Sequence, residues 1–174
     1  MERTFIGVKL HDDVIESIKY IDNKLIEGFK DANFVRPETC EMTLAFVGNL
    51  SDSDINKIIS KMDNLNSLNN FYLNMFGPVY FPDNSKRMLV LKAPTTKSMS
   101  GLISKIDSLL KDAINYNDIK NKFIPHITLA RLKKNISTIK DTKTIKIKVD
   151  NINLFSSQLT PRGAVHKIIH QIKY

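Results

Sequence analysis

Residues 125–131 read PHITLAR and residues 41–46 read EMTLAF. Both stretches place a Thr two positions after a polar, proton-bearing residue, with a bulky aliphatic between them and Leu-Ala after. The copies lie 126 − 41 = 85 residues apart, so each half of the 174-residue chain holds one. In a β-strand, residues i and i+2 point to the same side. His126 and Thr128 therefore share one face, as do Glu41 and Thr43, while Ile127, Leu129, Met42 and Leu44 point to the core. Two such strands in a two-fold-like arrangement would place two polar pairs on the walls of one cleft.

Working outward, Thr4–Leu10 (TFIGVKL) reads as a first strand. Asp13 as N-cap and Glu16 three residues on form a capping-box pattern. Val14, Ile15, Ile18, Ile21, Leu25, Ile26 and Phe29 then follow at helical spacing, with Gly28 near the stop. A strand is expected at Met42–Val47, and a helix opening at Ser51 to Asp54 with Ile55, Ile58, Ile59, Met62 and Leu65 inside. Asn69–Phe81 reads as an extended segment broken at Gly77-Pro78, and forms a hairpin with Arg87–Lys92 across the turn Pro82–Lys86. A third helix follows Pro94, a polar stretch fills Asn115–Lys122, and Ile127–Leu132 is a strand. Two more extended stretches are expected at about 143–155 and 164–173. In Lys143–Asp150 (KTIKIKVD) Lys alternates with Ile and Val, the pattern of an edge strand guarded against aggregation; a nucleic-acid-binding ridge is the alternative.

Composition narrows the class. Hydrophobic residues make up 42% and charged residues 25%, with six Gly and six Pro, which excludes disorder as the main state. No apolar run is long enough to cross a bilayer, and the opening MERTFIGVKLHDD lacks the order of a signal peptide, so a monomer in a reducing cytoplasm is expected. The single cysteine, Cys40, excludes an intrachain disulfide and a Cys-rich zinc site, and reads as a small buried hydrophobe. The net charge of +8 is compatible with an anionic partner. The abundance of Lys, Asn and Ile follows equally from an AT-rich coding sequence, so charge alone decides nothing. Asn135-Ile-Ser137 matches a glycosylation sequon that a cytoplasmic protein would not use.

These features resemble the two-histidine phosphoesterase superfamily, also called LigT-like, which includes the RNA 2′,3′-cyclic phosphodiesterases. The resemblance spans nearly the whole chain: the opening strand Arg3–Val8, TLAFVG at 43–48, PHITLAR at 125–131 and SSQLTPRGAVHKI at 156–168. It implies an α+β fold of a single domain over residues 1–174. Two antiparallel sheets, one per lobe, face a central cleft and carry helices on their outer faces. The second His-x-Thr motif is intact. In the first, Glu41 stands where the family has histidine, and His166 stands where the family often has Tyr.

Metal-free opening of a cyclic or internal phosphodiester needs a base to take a proton from water, an acid to protonate the departing ribose oxygen, and donors for the phosphoryl oxygens. By resemblance, His126 is the base, Glu41 holds the acid's position, and Thr43 and Thr128 bind phosphate. Arg131 is a third phosphate ligand, although on an ideal strand its side chain would point away from Thr128. His166 and Phe46 are candidate substrate contacts; His170 is assigned to solvent. Phe5, Phe46 and Phe81 could stack on a base or fill the core. No metal or cofactor is implied. The substrates implied are nucleotides or RNA bearing a 2′,3′-cyclic phosphate or a 2′–5′ linkage, used in RNA-end processing or in destroying immune nucleotide signals. An AT-rich gene suits a viral source for the second use and a low-GC bacterium equally. A free carboxyl of pKa about 4.3 is a poor donor at neutrality, so two branches stand open. Either burial tunes Glu41 into an acid, or the cleft binds nucleotide without efficient turnover.

Overall fold

The computed structural model describes residues 2–65, 68–114, 116, 123–133, 138–139, 141–160 and 163–174, with the backbone alone at 159 and 163. Most of the polar stretch expected at 115–122, and the sequon at 135–137, lie outside these residues. Among the described residues, nine strands and three α-helices follow one another as β1 (Glu2–Lys9), α1 (Asp12–Leu25), β2 (Asn33–Phe34), β3 (Glu41–Leu50), α2 (Asp52–Met62), β4 (Phe71–Phe81), β5 (Met88–Lys92), α3 (Lys97–Ala113), β6 (His126–Arg131), β7 (Lys143–Val149), β8 (Asn151–Thr160) and β9 (Gly163–Lys173). They form two antiparallel sheets, one ordered β3-β1-β8-β9 and the other β2-β6-β5-β4-β7.

Each sheet buries one face under helices. Helix α1 sits against β7 of the five-stranded sheet, while α2 and α3 pair with each other and lie against β3. Met42, Leu44, Ile127 and Leu129 are buried on the core side, as strand parity requires. Ser51 and Thr96 cap α2 and α3 by accepting from the backbone N–H of Asp54 and Met99. The start of α1 differs from expectation. The helix begins at Asp12, and the N-cap is His11 rather than Asp13, with no side-chain cap bond. The His11 ring is held instead by Asp150, Nε2 to Oδ1 at 2.9 Å, and this contact from the far end of the chain places the helix start. Ile26, expected in the buried stripe, is 48% exposed at the C-cap of α1.

The lysine-rich strand β7 is the edge of its sheet. The stretch expected to continue through 155 instead divides at Asp150 and changes sheets. Asn151 makes the transfer: its side-chain oxygen accepts from the Lys9 N–H at 2.9 Å and its amide donates to the Lys9 carbonyl at 3.1 Å. This pair of hydrogen bonds to the end of β1 starts β8 beside β1. The predicted hairpin β4–β5 is present, and its register breaks between Phe76 and Val79, around Gly77-Pro78. A Cβ at Gly77 would stand 2.5 Å from the Val90 carbonyl oxygen, so only glycine lets β4 and β5 approach here.

Candidate active site

The two motif strands meet where the sheets meet. β3 is the edge of its sheet and lies beside β6, with the Cys40 thiol donating to the Thr128 carbonyl at 3.6 Å. Burial pushes that thiol up to about 12, helped by the nearby carboxyls of Asp22 and Glu41. Cys40 is thus an inert packing residue at the junction.

Both motif strands carry the same irregularity. β3 pairs Gly7 with Thr43 and then Ile6 with Ala45, so Leu44 is extra. β6 pairs Val90 with Thr128 and then Leu89 with Ala130, so Leu129 is extra. A bulged residue breaks the two-residue alternation of side chains. Ala45 and Ala130 therefore sit opposite the buried Ile6 and Leu89, and the next residue on each strand returns to the open side. Phe46 stands opposite Phe5, with ring centroids 6.3 Å apart, and Arg131 stands opposite Met88, Nη1 at 3.6 Å from its sulfur. The bulge thus corrects the ideal-strand expectation for Arg131, which shares the face of His126 and Thr128. The internal echo extends to pairs of positions: 41 with 126, 43 with 128, and 46 with 131.

A third bulge separates the two C-terminal histidines. β9 pairs Ile168 with Phe155 and then His170 with Leu154, leaving Ile169 extra. The parity that places both histidines on one face is thereby broken. His170 turns to the helix side, Nε2 at 2.9 Å from the Asp63 carboxylate. His166 turns to the cleft, with Nε2 3.8 Å from Glu41 Oε1 and its ring edge-on to Phe5 at 4.9 Å. Phe5 in turn stacks on Phe155 at 4.7 Å, so these two rings are buried against each other on the cleft face of the sheet rather than offering a face to a base.

Burial pushes the Glu41 carboxyl up to about 7, against the opposing pull of the Arg131 guanidinium. That pull ties the two motifs together electrostatically. Burial also lowers His166, and the Arg3 charge lowers it further. Nδ1 of His166 is buried without a hydrogen-bond partner. A proton there would be a buried donor with no acceptor, so Nε2 carries it, toward Glu41. At 3.8 Å this is an electrostatic contact rather than a hydrogen bond.

His126 is oriented by two contacts that its motif did not reveal. Its Nδ1 lies 2.9 Å from the Ile124 carbonyl oxygen, which can only accept. In the neutral ring Nδ1 therefore holds the proton and Nε2 keeps its lone pair. Phe81 stacks on the ring at 4.7 Å. Thr43 and Thr128 are half-buried on the same sides as Glu41 and His126. Among the described residues, no group of three or more His, Cys, Asp or Glu is placed to hold a metal ion.

No family model matches the chain. Curated relatives are similar to it from end to end. An RNA 2′,3′-cyclic phosphodiesterase of Thermotoga maritima is 27% identical, over 99% of this chain and 95% of the relative. One of Aquifex aeolicus is 26% identical, over 97% and 95%. Among solved structures, TT0787 of Thermus thermophilus superposes with a TM-score of 0.84 at 22% identity, covering 98% of this chain and 97% of that one. Escherichia coli LigT in apo form gives 0.78 at 18%, covering 99% and 96%. With two antiparallel sheets, an echoed motif on abutting strands and relatives along its whole length, the chain is similar in sequence to RNA 2′,3′-cyclic phosphodiesterases and shares the LigT-like fold.

Proposed function

We propose that this protein is a metal-independent phosphodiesterase that opens 2′,3′-cyclic phosphates at RNA or nucleotide ends, with 2′–5′ linkages as a second substrate class. His126 Nε2, left unprotonated by the Ile124 carbonyl, takes a proton from water as the water oxygen bonds to phosphorus. The bond from phosphorus to one ribose oxygen breaks, and that oxygen takes the proton of the Glu41 carboxyl. Product is a phosphomonoester beside a free hydroxyl, and both side chains regain their starting states by proton exchange with solvent. Thr43, Thr128 and Arg131 hold the phosphoryl oxygens, with Arg131 the charged donor. His166 acts through Glu41: its Nε2–H steadies the carboxylate left behind. Phe46, 59% exposed on the cleft side, is the residue offered to the sugar or base.

Glu41 carries this reading. A carboxyl that titrates at about 7 still holds its proton in an appreciable fraction of molecules at neutrality, so the acid branch is favoured over a merely binding cleft. The relatives named as RNA 2′,3′-cyclic phosphodiesterases support the reaction class. So does the similarity to E. coli LigT complexed with 3′-AMP, at 17% identity and a TM-score of 0.80.

The test is to incubate the protein with a 2′,3′-cyclic mononucleotide, a 2′–5′ dinucleotide and a mixed-linkage cyclic dinucleotide in EDTA. Turnover of the first that survives chelation and drops at least about 10²-fold in His126→Ala is the expected result. Tight binding without turnover in the wild type, restored to catalysis by Glu41→His, would establish the binding-only reading instead.

A further inference from the structure

The exposed face of the five-stranded sheet continues well past the catalytic histidine. His126 pairs with Lys92, and Lys92 pairs with Phe76, so the three side chains stand in one row on the face opposite the core. Farther along β4, on the same face, come Asn74 and Tyr72, opposite Lys146 and Lys148 of β7. The residues between them, Leu73 and Met75, are buried in the core, whereas Phe76 is 44% and Tyr72 54% exposed. Two large rings presented to solvent on an otherwise well-packed strand call for an explanation. Core packing does not supply it, since Leu73 and Met75 already fill that side.

The cations on this face are arranged around the rings. Lys146 holds its ammonium 4.3 Å above the Tyr72 ring. Lys92 reaches Asp83 at 3.4 Å and Lys148 reaches Asp150 at 3.3 Å. Surface pairs of this kind contribute little and exchange readily for a phosphate. At the His126 end, Lys92 also lines a surface hollow with Val79 and Lys86. Exposed aromatics interleaved with lysines on an open sheet are the chemistry that stacks unpaired bases and neutralises the backbone between them.

We infer that this face is a binding track for the single-stranded RNA that precedes the cyclic phosphate, with Phe76 and Tyr72 as base platforms and Lys92, Lys146 and Lys148 as phosphate contacts. Tyr72 and Phe76 are four residues apart, about 13 Å along the strand, so they receive different nucleotides. The track rests on the proposed reaction only for the identity of the end held at His126; its own ligand is the strand.

The experiment compares a 2′,3′-cyclic mononucleotide with a single-stranded RNA decamer ending in a 2′,3′-cyclic phosphate. Binding of a labelled decamer ending in a 3′-phosphate is followed in parallel by fluorescence anisotropy. In the wild type, kcat/KM for the decamer exceeds that for the mononucleotide. Tyr72→Ala/Phe76→Ala lowers decamer kcat/KM and affinity by about tenfold or more, on the order of the loss of one or two base stacks. Mononucleotide turnover and Tm stay within about twofold and a few degrees. Lys146→Gln/Lys148→Gln flattens the salt dependence of decamer binding by about 1.4 units of log–log slope, the value for two lost contacts to a single strand. The track is overturned if the decamer gains nothing over the mononucleotide, or if the aromatic pair changes both substrates alike. It is equally overturned if the pair alters only the oligomeric state, which would make the face a protein interface. Aromatic-dependent RNA binding with no hydrolysis of either substrate would leave the track standing and remove the phosphodiesterase reading.

Discussion

At position 41 a carboxyl stands opposite a motif whose matching position, 126, is an imidazole, and the carboxyl sets a pH limit of its own. In the proposed reaction Glu41 serves as acid only while it holds its proton, which burial extends up to about pH 7. Turnover therefore declines as pH rises through about 7, the alkaline limb of the kcat/KM profile. Glu41→Gln has no proton to give. It loses about 10²–10⁴-fold in kcat, and that limb disappears along with the activity it modulated. His166 offers its Nε2–H to the deprotonated form, so His166→Ala withdraws support from the carboxylate and moves the limb to higher pH. A role confined to packing against Phe5 would lower Tm and leave the limb in place. A pH series on the three proteins with a cyclic mononucleotide separates these outcomes.

At the scale of elements, the readable parts of the sequence were those decided by neighbours in the chain. Ser51 with Asp54 marks a helix start because a cap is a local bond. Glu41 with Thr43 and His126 with Thr128 were legible as same-face pairs because alternation holds over two residues. The reading failed where a distant strand sets the register. Leu44, Leu129 and Ile169 are each the extra residue of a bulge, and each reverses the parity of the residues after it. That is why Arg131 reaches the cleft and why His166 and His170 part to opposite faces of β9. His11 gave no sign as N-cap because Asp150, 139 residues on, holds its ring. Gly77 is the point where such register has no slack. Its absent Cβ leaves room for the Val90 carbonyl, a backbone atom that cannot rotate away. Gly77→Ala should force β4 from β5 and cost about 2–4 kcal/mol. Urea unfolding measures this, with Gly101→Ala, which meets nothing within 4 Å, as the tolerated control.

At the scale of the molecule, the chain crosses between its sheets repeatedly, so neither lobe is a continuous segment. β1 and β3 belong with β8 and β9, while β2 and β4 through β7 form the other sheet. Such interleaving makes unfolding one cooperative transition, and a titrating group in either lobe then acts on the stability of the whole. Two buried carboxyls do so. Asp22 on α1 is pushed by burial up to about 7, with Oδ1 unpartnered, and Glu41 on β3 is raised to a similar value. Unfolded, both ionise near about 4. Between about pH 4 and 7 the folded state therefore binds more protons, and stability falls as pH rises across that window, then levels off. Each group contributes up to about 3–4 kcal/mol to the fall, an upper bound set by the size of the shift. Carboxyls held low, such as Asp54 by Lys57 and then Ser51, act in the opposite sense and only below their ordinary range. Urea midpoints for the wild type should accordingly drop from about pH 4.5 to about pH 8. Asp22→Asn should remove a large share of that drop, and Asp22→Asn/Glu41→Gln should abolish it, leaving the rise toward neutrality that the lowered His166 contributes. A wild-type midpoint that does not change across this range would show that neither carboxyl keeps its proton in the folded protein, and would take the acid away from the proposed reaction as well.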